Sequence, residues 1–259
     1  ALLLAGLFSQ EGVRVKKPAP SRDHTERMLR LEAPDREGFL RAALDTPVPA
    51  QDMRIPGDVS AAAFWLVAGA IHPDADLLVS ACGLNPTRDG VVGVLAEMGA
   101  DLNVAESSDE SAEPIGDVTV RSGKTLRPVH LRGEIIANVI DELPVLMAAM
   151  CFADGVSEIS DAAELRVKET DRIAAMVRVL KRIGADVVEK PDGVVVKGNP
   201  GFRPAGCTVS SEHDHRIAMS AAVLGLVAQD GIRVEGAECT AISYPAFWED
   251  LRRISGAEG

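Results

Sequence analysis

The chain has 259 residues, a formal net charge of -12 and a pI near 4.9. That balance excludes a broad nucleic-acid surface, which needs a basic face, so an anionic ligand has to be held in a local positive pocket. With 46% hydrophobic but only 3% aromatic residues, a large core must be built from Ala, Val, Leu and Ile, and about 150 residues per domain predicts one or two domains.

Cys82, Cys151, Cys207 and Cys239 are widely separated and show no metal or redox spacing, which reads as reduced thiols filling the core of a cytoplasmic protein. No apolar run approaches the ~18 residues of a membrane span. In chain order, residues 1–7 read as the end of a helix and 12–17 as a short strand. This opening lacks Met, a helix cap and the flanks of a signal peptide, and predicts a piece of a longer polypeptide. In Pro20-Ser21-Arg22-Asp23-His24-Thr25-Glu26, Ser21 is placed to cap a helix that Arg22 enters. Residues 31–54 read as irregular with short strands, and a domain boundary is placed near Ile55, dividing the chain into 1–55 and 56–259.

From Pro56 a repeat appears. Ala-rich helices are predicted at 58–71, 144–153 and 214–228. Each precedes a short strand, at 77–80, 156–159 and 232–234, and then a second helix, at 86–98, 170–183 and 245–254. The second helices of the first two units end alike, in Met98-Gly99-Ala100-Asp101 and Ile183-Gly184-Ala185-Asp186; the third ends in Ile254-Ser255-Gly256-Ala257. Paired strands follow at 102–104 with 118–120 and at 187–189 with 194–196. The fold class is therefore α/β, built of repeated βαβαββ units. Because the first helix of each unit is apolar almost all round, it is a buried helix. Three of them packed in parallel bring three positive N-termini to one end, which should bind anions.

Cations stand where those helix dipoles disfavour them. Arg172 lies in the first turn of the 170–183 helix with Lys168 just ahead of it, and Arg216 follows Asp214, which is placed to cap its helix. Guanidinium groups suit carboxylates and phosphates through a planar, bidentate fork, so these placements point to a polyanionic ligand. Glu169, between the two cations, could move a proton beside it. Asp141, ahead of Pro144, belongs at the mouth of a buried helix, where its plain reading is simply a cap. The plain alternative is a surface turn with local pairs, Arg172 with Asp171, Lys168 with Glu169, and Arg22 with Asp23 or Glu26. His213, Asp214 and His215 lack visible third and fourth metal ligands.

On Ser21-Arg22-Asp23-His24-Thr25-Glu26, Pro56-Gly57-Asp58, Asn85-Pro86-Thr87-Arg88, Asn138-Val139-Ile140-Asp141-Glu142, Leu165-Arg166-Val167-Lys168-Glu169-Thr170-Asp171-Arg172 and Asp214-His215-Arg216-Ile217-Ala218-Met219, the chain resembles the 5-enolpyruvylshikimate-3-phosphate synthase family of the shikimate pathway. The resemblance implies an enolpyruvyl transferase inside-out α/β barrel, two facing domains of three repeats each, with 1–55 the remnant of the N-terminal domain and 56–259 the C-terminal one. It also implies transfer of the enolpyruvyl group of phosphoenolpyruvate to the 5-hydroxyl of shikimate 3-phosphate, with no metal or organic cofactor, in an enzyme that is monomeric at full length. Asp141 would take the hydroxyl proton, and Glu169 would protonate and later deprotonate the methylene carbon. Lys168 would contact shikimate 3-phosphate, Arg22 its phosphate, and Arg172 and Arg216 phosphoenolpyruvate.

Two departures matter. The family's N-terminal lysine-serine pair, a further arginine and a serine-x-glutamine segment have no counterpart here, so the chain alone is expected to turn over poorly or not at all. Many relatives carry a lysine where this chain has Thr240-Ala241-Ile242-Ser243-Tyr244-Pro245. Competing readings are the sister transferase acting on UDP-N-acetylglucosamine, which lacks the Lys168–Arg172 pattern, and a non-catalytic anion-binding half-domain. RNA end-processing conflicts with the acidic balance.

Overall fold

The computed structural model describes residues 1–17, 21–106 and 112–256. Pro20 and Ala257, which bound two of the segments above, lie outside the described residues. The first part of the chain holds α1 (Leu2–Gly6), β1 (Val13–Val15), α2 (His24–Leu29) and β2 (Leu40–Ala42), with β1 and β2 antiparallel. Leu3, Leu40 and Ala42 form a small core of their own. Ser21 does not cap α2. Asp23 stands at that position without a capping bond, because its carboxylate is taken by Arg27 at 2.9 Å and by Asn85 at 2.7 Å.

The repeat follows. In its first unit are α3 (Val59–Ile71), β3 (Asp76–Gly83), α4 (Gly90–Glu97), β4 (Asp101–Glu106) and β5 (Ile115–Arg121). The second has β6 (His130–Leu131), α5 (Glu134–Val139), α6 (Leu143–Met150), β7 (Val156–Ile159), a 3-10 turn (Ala163–Val167), α7 (Arg172–Arg182), β8 (Asp186–Lys190) and β9 (Gly193–Lys197). The third has β10 (Cys207–Ser210), α8 (His215–Gly225), β11 (Ile232–Glu235), a 3-10 turn (Ala237–Ile242) and α9 (Phe247–Ser255). Each unit opens with a parallel pairing across its buried helix: the Gly57 to Cys82 bridge, β6 with β7, and β10 with β11. The first two add antiparallel hairpins, giving the sheets β3-β5-β4 and β6-β7-β9-β8.

Helices α3, α6 and α8 pack on one another at the centre, with the sheets outside them. All eight residues of α6 are buried, so its only polar exits are its two ends. The second helices are amphipathic and lie over that centre; Ile173, Met176, Val177 and Leu180 form the inner stripe of α7, as the spacing predicts. α4 begins at Gly90 rather than near Pro86, because Asn85 Oδ1 accepts from Thr87 N at 2.9 Å and holds residues 85–89 as a turn. The few aromatics are concentrated rather than absent from the core: Phe64, Trp65, Tyr244, Phe247 and Trp248 pack where α9 meets α3. All four cysteines are free, and burial pushes the Cys82 and Cys151 thiols up to about 11 and about 12. Among the described residues no helix is long and apolar enough to cross a membrane.

α3 lies so close to β5 that a methyl at Gly69 would overlap Val120 Cγ1, with Val120 Cγ2 at 3.2 Å. Alanine is favoured over glycine by about 1 kcal/mol inside a helix, whereas overpacking costs about 1–3 kcal/mol. Gly69→Ala is therefore expected to lower the urea midpoint, and Val120→Ala in the same chain to restore part of it. A midpoint raised by Gly69→Ala would contradict the close packing.

Candidate active site

The N-termini of the three central helices meet at one end. Asp58 caps α3 through Ser60 N at 3.0 Å, and Asp214 caps α8 through Arg216 N at 2.8 Å. The mouth of α6 has no side-chain cap; Asp141 and Glu142 stand there ahead of Pro144. Contacts join the mouths directly. Ser60 donates to the Glu142 carboxylate, and Arg216 Nη1 donates to the Asp141 carbonyl at 2.8 Å. The residues selected by sequence gather around this end.

Arg172 is the most buried of them, with 1% of its side chain exposed. Its Nε donates to Asp214 at 2.8 Å, its Nη2 to Glu169 at 2.6 Å and its Nη1 to Asp141 at 3.3 Å. Three carboxylates thus offset both the desolvation of a buried guanidinium and the unfavourable dipole of α7. The local pairs are not the ones formed. Asp171 caps α7 through Ala174 N and takes Arg166 at 2.7 Å, while Lys168 pairs with Glu164 at 2.7 Å. Arg22 passes over Asp23 and Glu26, which take Arg27 and Lys17, and reaches Asp141 at 2.7 Å.

Asp141 is consequently shared among Arg22, Arg172 and Arg216, the last at 3.8 Å. Burial would raise its carboxyl, but Arg216, Arg22 and Lys168 outweigh that and hold it below the ordinary Asp value. Arg216 is the least engaged cation: its nearest carboxylate oxygens, on Glu142 and Asp141, lie at 3.6 and 3.8 Å. Burial lowers its value, opposed by those two carboxylates. His215 is half-buried, and desolvation followed by Arg216 lowers its value and favours the neutral ring. Among the described residues no cluster of His, Cys, Asp or Glu is arranged to hold a metal.

Several supporting residues stand in the quoted motifs or beside them without a role that sequence reasoning assigned. Arg166 clamps the loop, donating to the Pro191 and Lys190 carbonyls at 2.6 Å and to Asp171 and Glu189. Apart from Asp171, its partners lie on the distant β8 to β9 hairpin, which no local signal marks. Asn85, 2% exposed, donates to Asp23 and Glu113 and ties the first part of the chain to the repeat; its Asn-Pro-Thr turn chemistry was the available signal. Asn138 likewise pins α4, accepting from Gly90 N at 3.0 Å and donating to the Pro86 carbonyl at 2.8 Å. Glu212 and His213 hold φ of 52° and 59°, strain of the kind concentrated at functional turns. A cavity of 780 Å3 is lined by residues including Arg14, Arg30, Phe39 and Arg41 and shares no residue with this site.

Because the folded value of Asp141 lies below the ordinary 3.8, its ion pairs contribute stability that is fully present above that pH and is lost as pH falls below it. The stability difference between the chain and Asp141→Asn, from urea unfolding, is expected to be widest above about pH 5 and to shrink steadily below about pH 4. A difference that does not change with pH would contradict the pairing.

The profile of the family described as EPSP synthase (3-phosphoshikimate 1-carboxyvinyltransferase) matches residues 1–251. The 3-phosphoshikimate 1-carboxyvinyltransferase of Prochlorococcus marinus (strain MIT 9303) is 46% identical over 260 residues, covering 98% of this chain and 58% of that protein. EPSP synthase from Acinetobacter baumannii superposes with a TM-score of 0.90 at 38% identity, over 97% of this chain and 58% of that one. The enolpyruvyl transferase NikO from Streptomyces tendae shares the fold alone, with a TM-score of 0.71 at 18% identity, over 95% of this chain and 56% of its own. The chain spans 58% of the length of the first two relatives, and it belongs to the EPSP synthase (3-phosphoshikimate 1-carboxyvinyltransferase) family.

Proposed function

We propose that the chain is the C-terminal part of a 3-phosphoshikimate 1-carboxyvinyltransferase, with residues 56–259 its C-terminal domain and residues 1–55 the remnant of its N-terminal one. It would supply the proton-transfer groups and part of the anion site, and a further N-terminal part would supply the rest. The observation that carries this reading is the convergence of Arg22, Arg172 and Arg216 on Asp141 at three helix mouths. Such a site suits two anionic substrates, shikimate 3-phosphate and phosphoenolpyruvate.

In the forward step the 5-hydroxyl oxygen bonds to C2 of phosphoenolpyruvate, its proton passes to Asp141, and protonated Glu169 delivers a proton to the methylene carbon. In the second step Glu169 takes a proton back from that carbon, the double bond re-forms, and the C2 to phosphate oxygen bond breaks, the departing phosphate taking the proton held by Asp141. Lys168 lies close enough to act on Asp141 electrostatically and would neutralise the departing phosphate. Arg172 now holds Glu169 at 2.6 Å, and a substrate anion that takes over those donors frees the carboxylate to carry a proton. The reading implies a monomeric full-length cytoplasmic enzyme without a metal.

Phosphate release from shikimate 3-phosphate and phosphoenolpyruvate tests it, using this chain mixed with the N-terminal part of a relative. Release is expected only with both pieces, and Glu169→Gln is expected to lower it by at least about a hundredfold. Release with UDP-N-acetylglucosamine in place of shikimate 3-phosphate would overturn the substrate assignment. No release from associated pieces would leave an anion-binding half-domain.

A further inference from the structure

Glu142 plays no part in the proton transfers above, yet it is buried among them with 2% of its side chain exposed. It stands at the N-cap position of α6 but makes no side-chain cap bond, so capping does not account for it. Its Oε1 accepts from Ser60 Oγ, and that hydroxyl in turn accepts from Arg88 Nη2 at 2.8 Å. On the other side Arg216 Nη1 lies 3.6 Å from the same oxygen. Burial pushes the carboxyl up, and Ser60, Arg216 and Arg88 draw it back. The four residues come from all three helix mouths and from the turn before α4.

Arg216 needs a constant counter-charge to stay fixed while a ligand binds and leaves. Asp141 cannot be that charge, because it is neutralised when it takes the hydroxyl proton. The Arg216 bond to the Asp141 carbonyl, at 2.8 Å, survives that step, but a carbonyl is neutral and supplies no counter-charge. Glu142 is enclosed by Ser60 and by the helix mouths, and no step proposed above puts a proton on it. We propose that Glu142, aimed by Ser60 and balanced by Arg88, is a positioning residue that holds the Arg216 guanidinium in its anion-binding orientation. The proposal rests on the reading that Arg216 binds phosphoenolpyruvate.

The test has two readouts. In the intact chain the Nη groups of Arg216, assigned with Arg216→Lys, are followed by nitrogen NMR, where hindered rotation of the guanidinium reports a fixed orientation. Glu142→Gln keeps the shape and the Ser60 bond but removes the charge, and is expected to speed that rotation about tenfold, the effect of losing a buried ion-pair partner at 3.6 Å. Ser60→Ala should act in the same direction more weakly, and it decides the matter if Glu142→Gln does not fold. In the two-piece assay, Glu142→Gln should raise the KM for phosphoenolpyruvate by about tenfold, more than it lowers kcat, and leave the KM for shikimate 3-phosphate in place. Unaltered Arg216 rotation in the folded variants would overturn the proposal. Absence of any turnover by the unsubstituted pieces would instead overturn the functional reading, while the NMR result still decides the role of Glu142.

Discussion

Three helices with almost no polar face must be buried together, and parallel packing then forces three positive helix ends into one place. The rest of the site follows from that constraint. Each end carries roughly half an elementary charge, and the nearest groups are carboxylates: Asp58 and Asp214 as caps, Asp141 and Glu142 at the uncapped mouth of α6, with Glu169 at the entrance to α7. Cations form the next layer. Arg88 meets Asp58, Arg172 meets Asp141, Glu169 and Asp214, Arg22 and Arg216 meet Asp141, and Lys168 stands close by. Five carboxylates face five cations here, in a chain whose formal charge is -12.

That balance has a chemical consequence. A substrate anion entering the site cannot simply add to the charges present; it has to take arginine donors from protein carboxylates. Asp141 is held low by the cations that a phosphate or carboxylate would engage, so loss of those partners makes it a better base. In the proposed mechanism Glu169 would be freed by the same exchange at Arg172. Under the proposed function, binding and proton transfer would be coupled through these shared guanidinium groups. Glu142 differs in kind, since it is enclosed with Ser60 and Arg216 as its partners and takes no proton in the proposed steps.

What the sequence revealed depended on the range of the interaction. The buried helices and the repeat were legible because an all-round apolar helix and a recurring Gly-Ala-Asp ending are local patterns, and so was Asp214 as a cap. Arg172 and Arg216 were legible for a related reason, since a cation in a first turn conflicts with a local dipole. The partners that resolve the conflict were not: Arg22 and Asp141 are separated by 119 residues, and short-range pairing was the natural expectation. Ser21 failed as a cap because Asp23, drawn off by Arg27 and Asn85, set the start of α2. The unforeseen α5 carries Ile136 and Val139 as buried residues one turn apart, too short a stripe to stand out. The aromatic cluster at α9 escaped a composition argument because a small number of rings can still occupy one spot.

The most direct test of the account is the crystal structure of the chain grown with saturating phosphoenolpyruvate. The account predicts the ligand at the convergent helix mouths, within hydrogen-bonding distance of Arg172 and Arg216, with the Arg172 contact to Glu169 opened. A ligand seated instead in the 780 Å3 cavity beside Arg14 and Arg41, with Arg172 still paired to its three carboxylates, would contradict it.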